Sequence, residues 1–150
     1  MPNDRIDTYV KWTFLVALGI SIFTGFGNMP LWGRFFVSDI PGLGWSADFF
    51  INMYVHYLSG GVLLAISTYY LIHYNQRCDR DARLSRTGVL RVMVFGLVLV
   101  SGALSAVKNL PPINLPLAGL MALVFFHLGA VMAYILISLA CRILRKPWMS

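Results

Sequence analysis

The 150-residue chain contains no glutamate. Its only acids are Asp4, Asp7, Asp39, Asp48, Asp79 and Asp81, and all six lie outside the long apolar runs. Charged residues of both signs make up 12% of the chain against 58% hydrophobic, and the mean hydropathy is +0.71. Soluble domains carry roughly twice that share of charge, about 25%, so the composition excludes a soluble enzyme. The position of the acids is what the cost of a charge in hydrocarbon produces. Cysteine is nearly missing. Cys78 and Cys141 form no CxxC pair, which leaves no zinc or iron–sulfur signature. Both fall near the predicted cytoplasmic face, where a disulfide is not expected. No internal repeat and no low-complexity segment is evident. The polar start MPNDRIDTYVK lacks the pattern of a cleavable signal peptide, so the first apolar helix is expected to remain in the mature protein.

What is present is apolar sequence in four runs. A spanning helix needs about 20 apolar residues, and the runs predict helices over about residues 10–28, 49–73, 88–107 and 115–143 of one domain, 1–150. The expected fold is all-α, an integral membrane four-helix bundle. The net charge of +6 sits beside apolar runs, which favours a lipid surface over nucleic acid. Arg5 and Lys11, then Arg77, Arg80, Arg83, Arg86 and Arg91, then Arg142, Arg145 and Lys146 share one side if there are four spans. The other side holds only Arg34 and Lys108. The positive-inside rule then places both termini in the cytoplasm and turns loops 28–48 and 108–114 outward. The localisation expected is a bacterial or archaeal cytoplasmic membrane. The first outer loop mixes Gly and Pro with Trp32, Phe35, Phe36 and Trp45. It reads either as a loop lying at the headgroup level or as a docking surface for an outer partner.

Only three histidines occur: His56, His73 and His127. His56 and His127 sit inside apolar runs, where an ionisable group is a functional candidate by default. Imidazole is a common haem ligand. Helices two and four both enter from the outer face, and the two histidines fall at similar depths along them. Two imidazoles at one level could clamp one haem b in the outer half of the membrane. Gly60, four residues after His56, shares its helix face, and Gly129, Ala130, Gly96, Ser101, Gly102 and Ala103 supply further small neighbours. The same small residues also suit ordinary helix packing in lipid, in which case the histidines would only hydrogen-bond across helices. His73, at the inner end of helix two, reads as an interfacial polar residue; a second haem there would need a partner such as Met93. Asp48 and Asn52 precede His56 on roughly the same face and could line a quinone pocket or relay a proton. Asp48 serves equally as an acid at a helix N-terminus. Arg34 and Lys108 are the natural counter-charges for haem propionates facing outward, or else face solvent or a partner.

Thr24-Gly25 late in helix one, His56 in helix two and His127 in helix four resemble the cytochrome b, or gamma, subunit of membrane-bound formate dehydrogenases and related hydrogenases. The resemblance extends over nearly the whole chain as a layout. Those subunits have four helices and two stacked haems, ligated by histidines of helices one, two and four. Here Lys11-Trp12 stand where the family has its helix-one histidine, and Cys141 stands at the second histidine of helix four. Both departures concern the cytoplasmic-side haem, so the resemblance implies a one-haem variant with the outer bis-histidine pair retained.

The function expected is a non-catalytic electron-transfer subunit of an oxidoreductase complex. It would carry electrons between an extracytoplasmic iron–sulfur or multihaem c-type subunit and the quinone pool, menaquinone or ubiquinone. The alternative is a haem-free membrane anchor of a larger respiratory complex. A small transporter or proton channel is disfavoured, because the inner half is almost wholly apolar apart from Ser67, Thr68 and the helix ends.

Overall fold

The computed structural model describes residues 4–29, 37–77, 84–109 and 115–148, with the side chains of 4–7, 73 and 75–77 left out. Trp32, Arg34, Phe35, Phe36, Cys78, Asp79, Arg80, Asp81 and Arg83 lie outside these residues, and so do the side chains of Arg5, His73 and Arg77.

Four α-helices carry the fold: α1 Asp4–Gly27, α2 Phe49–Arg77, α3 Arg86–Val107 and α4 Leu117–Ile143. Within them, spans of 20, 24, 22 and 27 residues are long and apolar enough to cross a membrane. The chain is an all-α, multi-pass membrane protein. Some helix ends run past the sequence expectation, while α4 starts at Leu117 rather than 115. α1 starts at Asp4 rather than near residue 10, and α2 continues to Arg77 rather than 73. Hydropathy marks the apolar stretch of a helix, whereas the polar residues beyond it keep the same backbone hydrogen bonds and simply extend the helix.

The starts of α2, α3 and α4 each have a local cause. Before α2, one Asp48 carboxylate oxygen accepts from the amides of Phe50 and Ile51 at 2.9 and 3.0 Å, closing two of the donors that a helix N-terminus leaves open. Ser85 does the same for α3, accepting from Gly88 N at 3.0 Å. Pro116 precedes α4, its carbonyl accepting from Gly119 and Leu120. The end of α4 is the most defined. Arg145 takes a left-handed conformation (φ 50°), and Lys146 N donates to Cys141 O at 2.8 Å. This six-to-one bond closes the helix in a Schellman turn, with Pro147 following where the helix cannot continue.

Burial is inverted relative to a soluble protein. Among the described residues the buried polar side chains are Thr24, Ser46, Asn52, Ser59, Arg91 and Ser101, while the buried hydrophobic ones are only Ala17, Leu63 and Cys141. Large apolar side chains such as Leu58, Phe125 and Ile143 point outward. In lipid nothing drives hydrocarbon inward, so small and hydrogen-bonding residues gather at helix seams.

The chain divides into two units, Met1–His73 and Tyr74–Ser150. The first holds α1 and most of α2. It also holds short 3₁₀ turns at Val37–Asp39 and Gly44–Ala47, with Trp45 packed on Phe23 of α1 at a ring separation of 5.9 Å. Part of the loop between α1 and α2 is therefore seated on its own helix. The second unit holds α3 and α4, joined by the Phe95–Tyr134 ring contact at 5.0 Å. After the turn at Arg145 the tail runs back to α3. Ser85 N donates to Trp148 O at 3.0 Å, and Ser85 Oγ donates to Pro147 O at 2.8 Å. Arg91 is buried beneath the tail. Its guanidinium donates to Pro147 O at 2.9 Å and to Lys146 O at 3.3 Å, and lies 3.8 Å from the Trp148 ring centre. Arg91, counted in the sequence among the bases of the cytoplasmic side, is a buried cation satisfied by carbonyls and an aromatic face.

Candidate histidine sites of the two hairpins

In the first hairpin His56 faces α1. Its Nδ1 forms a hydrogen bond of 2.9 Å with Thr24 Oγ1, and that hydroxyl donates to Ile20 O at 2.7 Å, one turn back on α1. The ring edge lies against Gly25: a Cβ there would meet His56 Cε1 at 3.2 Å. Thr24 is fully buried and is held at its other end as well, because the Asn52 amide donates to Thr24 O at 3.0 Å. Asn52 and His56 are four residues apart on α2, so both reach the same threonine from consecutive turns. One turn further, Ser21 Oγ donates to Ser59 Oγ at 2.8 Å.

The second hairpin repeats the central part of this arrangement. His127 Nδ1 forms a hydrogen bond of 2.9 Å with Ser101 Oγ, which donates to Leu97 O at 2.7 Å. A Cβ on Gly102 would meet His127 Cε1 at 3.1 Å. A hydroxyl residue followed by glycine on the first helix, and a histidine on the second, thus recur with the same distances. Sequence reasoning singled out both histidines, Thr24-Gly25 and Ser101-Gly102, but not the pairing. The usable signal was the Ser/Thr-Gly dipeptide late in helices one and three.

The remaining expected site residues are placed as follows. Gly60 lies on α2 with nothing within 4 Å of the Cβ it lacks, and the same holds for Gly129 and Gly96. The glycines that touch imidazole are Gly25 and Gly102. Asp48 caps α2. Asn52 is fully buried, and its Oδ1, like that of Asn28, has no hydrogen-bond partner among the described residues. Lys108 ends α3 as its C-cap, half-buried. Met93 is exposed on α3. Cys141 is a buried free thiol. Among the described residues no group of three or more His, Cys, Asp or Glu side chains could hold a metal ion, so a site built wholly from such side chains is not offered there. A porphyrin iron needs only two protein ligands.

The donor chemistry fits that group. Each imidazole is held through Nδ1, the nitrogen opposite the usual ligating Nε2, and each is held by a neutral hydroxyl. Each also rests against a glycine, where a larger residue would displace the ring. Searched against family models, curated proteins and solved structures, the chain matches none of them.

Proposed function

We propose that this protein is a membrane-embedded b-type cytochrome subunit in which His56 and His127 ligate one haem b. The observation that carries the proposal is the repeated hydroxyl–imidazole pair. Two half-buried histidines, each oriented by the same kind of partner at the same nitrogen, would serve as two equivalent ligands of one haem. The positions agree along the chain: His56 lies seven residues into α2 and His127 ten residues into α4. At about 1.5 Å per residue, the two depths along their own helices differ by less than one turn.

Haem b supplies reversible one-electron chemistry when bound. The chain's own part is to hold the two imidazoles, keep water from them with the apolar helices, and offer Lys108 and Arg34 as counter-charges at the outer face. The subunit would then link an iron–sulfur or multihaem c-type partner on the outer side to menaquinone or ubiquinone in a bacterial or archaeal cytoplasmic membrane, with both termini cytoplasmic. It is not itself the catalytic subunit.

One observation favours the rival, a haem-free anchor: each imidazole already makes a cross-helix hydrogen bond of the sort that glues transmembrane hairpins together. A reduced-minus-oxidised visible spectrum separates the two. The cytochrome predicts one haem b per chain, lost in both His56→Ala and His127→Ala. The anchor predicts no haem b in the purified wild-type protein.

A further inference from the structure

Thr24 and Ser101 are more than packing partners, because of where their protons go. A hydroxyl has one proton and two lone pairs. Thr24 Oγ1 lies 2.7 Å from Ile20 O, and Ser101 Oγ lies 2.7 Å from Leu97 O. A carbonyl can only accept, so each hydroxyl proton is committed to the carbonyl of its own helix. At 2.9 Å from Nδ1, each hydroxyl can then only receive. If the ring instead offered a lone pair to the hydroxyl, the carbonyl contact at 2.7 Å would be oxygen against oxygen with no proton between. This relay calls for the Nδ1–H form of each imidazole, with the in-plane lone pair on Nε2.

We propose that Thr24 and Ser101 are positioning residues which set His56 and His127 in one and the same tautomer, ready to ligate through Nε2 as a matched pair of neutral imidazoles. The haem part of this rests on the proposed function; the tautomer part does not. Gly25 and Gly102 complete each setting by letting the ring edge approach the helix that carries the hydroxyl. A hydroxyl is a weaker acceptor than a carboxylate, so both ligands stay neutral rather than moving toward imidazolate. Each still gains some donor strength from the bond it gives.

The test uses the full chain with selectively ¹⁵N-labelled histidine, with and without added haem b. In the haem-free wild-type protein, nitrogen chemical shifts should show His56 and His127 protonated at Nδ1. Thr24→Val should change the tautomer population of His56 alone, and Ser101→Ala that of His127 alone. With haem b added, each variant should hold it about tenfold or more weakly, with a raised midpoint potential because the ligand donates less to ferric iron. Thr24→Ser and Ser101→Thr, which keep the hydroxyl, should restore all three readouts. If Thr24→Val does not fold, Ser101→Ala carries the same test in the other hairpin. Protonation at Nε2 in the wild-type protein overturns the inference whether or not haem binds. So do hydroxyl-free variants with unchanged tautomer, affinity and potential. Nδ1–H histidines that take up no haem b would uphold the tautomer assignment and sink the cytochrome function instead.

Discussion

The two hairpins share a centre and differ in everything around it. In the first, the hydroxyl–imidazole pair has polar neighbours: Ser21 with Ser59, and Asn52 on the carbonyl of Thr24. In the second, the corresponding positions are Val98, Ala130 and Leu123, and the neighbouring contact is the Phe95–Tyr134 ring pair. Beside the shared pair, the helix seam is thus reinforced by further hydrogen bonds in the first hairpin and by ring packing in the second. Only the hydroxyl, the glycine and the histidine are common to both. What the two halves keep despite different surroundings is what orients an imidazole, which is the physical reason to assign function to that trio rather than to the seams.

The comparison can be broken hardest at the glycines. Gly25→Val and Gly102→Val should each displace an imidazole, destabilise their hairpin by about 1–3 kcal/mol and abolish haem b in the visible spectrum. Gly60→Ala, with open space beside it, should leave thermal unfolding in detergent unchanged or slightly raised, since alanine is the better helix former. Loss of haem b in Gly60→Ala with the fold intact would show that the porphyrin lies against α2 there.

The tail gives the next effect, and it belongs to the second hairpin alone. Trp148→Ala removes the ring above a buried guanidinium and should cost about 2 kcal/mol, read as a lower unfolding temperature and faster proteolysis beyond Arg145. Equal susceptibility of the tail in variant and wild type would show that Trp148 does not hold it. Gly88 belongs to the same contact, since any side chain there would run into the Trp148 carbonyl.

The smallest expected effect is the most informative about the first hairpin. Asn52→Leu gives α2 the residue type that α4 has at Leu123. It deletes one hydrogen bond, worth about 1 kcal/mol, together with a buried amide oxygen that has no partner among the described residues and costs a comparable amount. The two should nearly cancel, so a shift in unfolding free energy under about 1 kcal/mol is expected. A loss of several kcal/mol would mean that Asn52 Oδ1 receives a bond from a bound donor in the native protein.

The helices were legible because four runs of apolar residues have few alternatives to spanning a bilayer. Their ends were less so: DRIDTYVK before the first run and HYNQR after the second are polar yet helical, and hydropathy does not register them. The histidines were legible because an ionisable group in an apolar run is costly. Their partners were not. Thr24 and His56 are 32 residues apart and Ser101 and His127 are 26 apart, so the internal correspondence has no fixed period and is carried by two or three residues per half. The tail was hidden for another reason. Nothing in Lys146-Pro147-Trp148 announces that Arg91 will be its target until the left-handed turn at Arg145 reverses the chain.

That each histidine finds its hydroxyl inside its own hairpin has a consequence for biosynthesis. Chains emerge from the ribosome N-terminus first, and hairpins of transmembrane helices can associate as they form. By the time residue 77 is in the membrane, the setting of His56 can be complete, about a third of the chain before His127 exists. A block in synthesis between the hairpins should therefore leave His56 already set by Thr24 with no His127 beside it, a half-made state open to quality control.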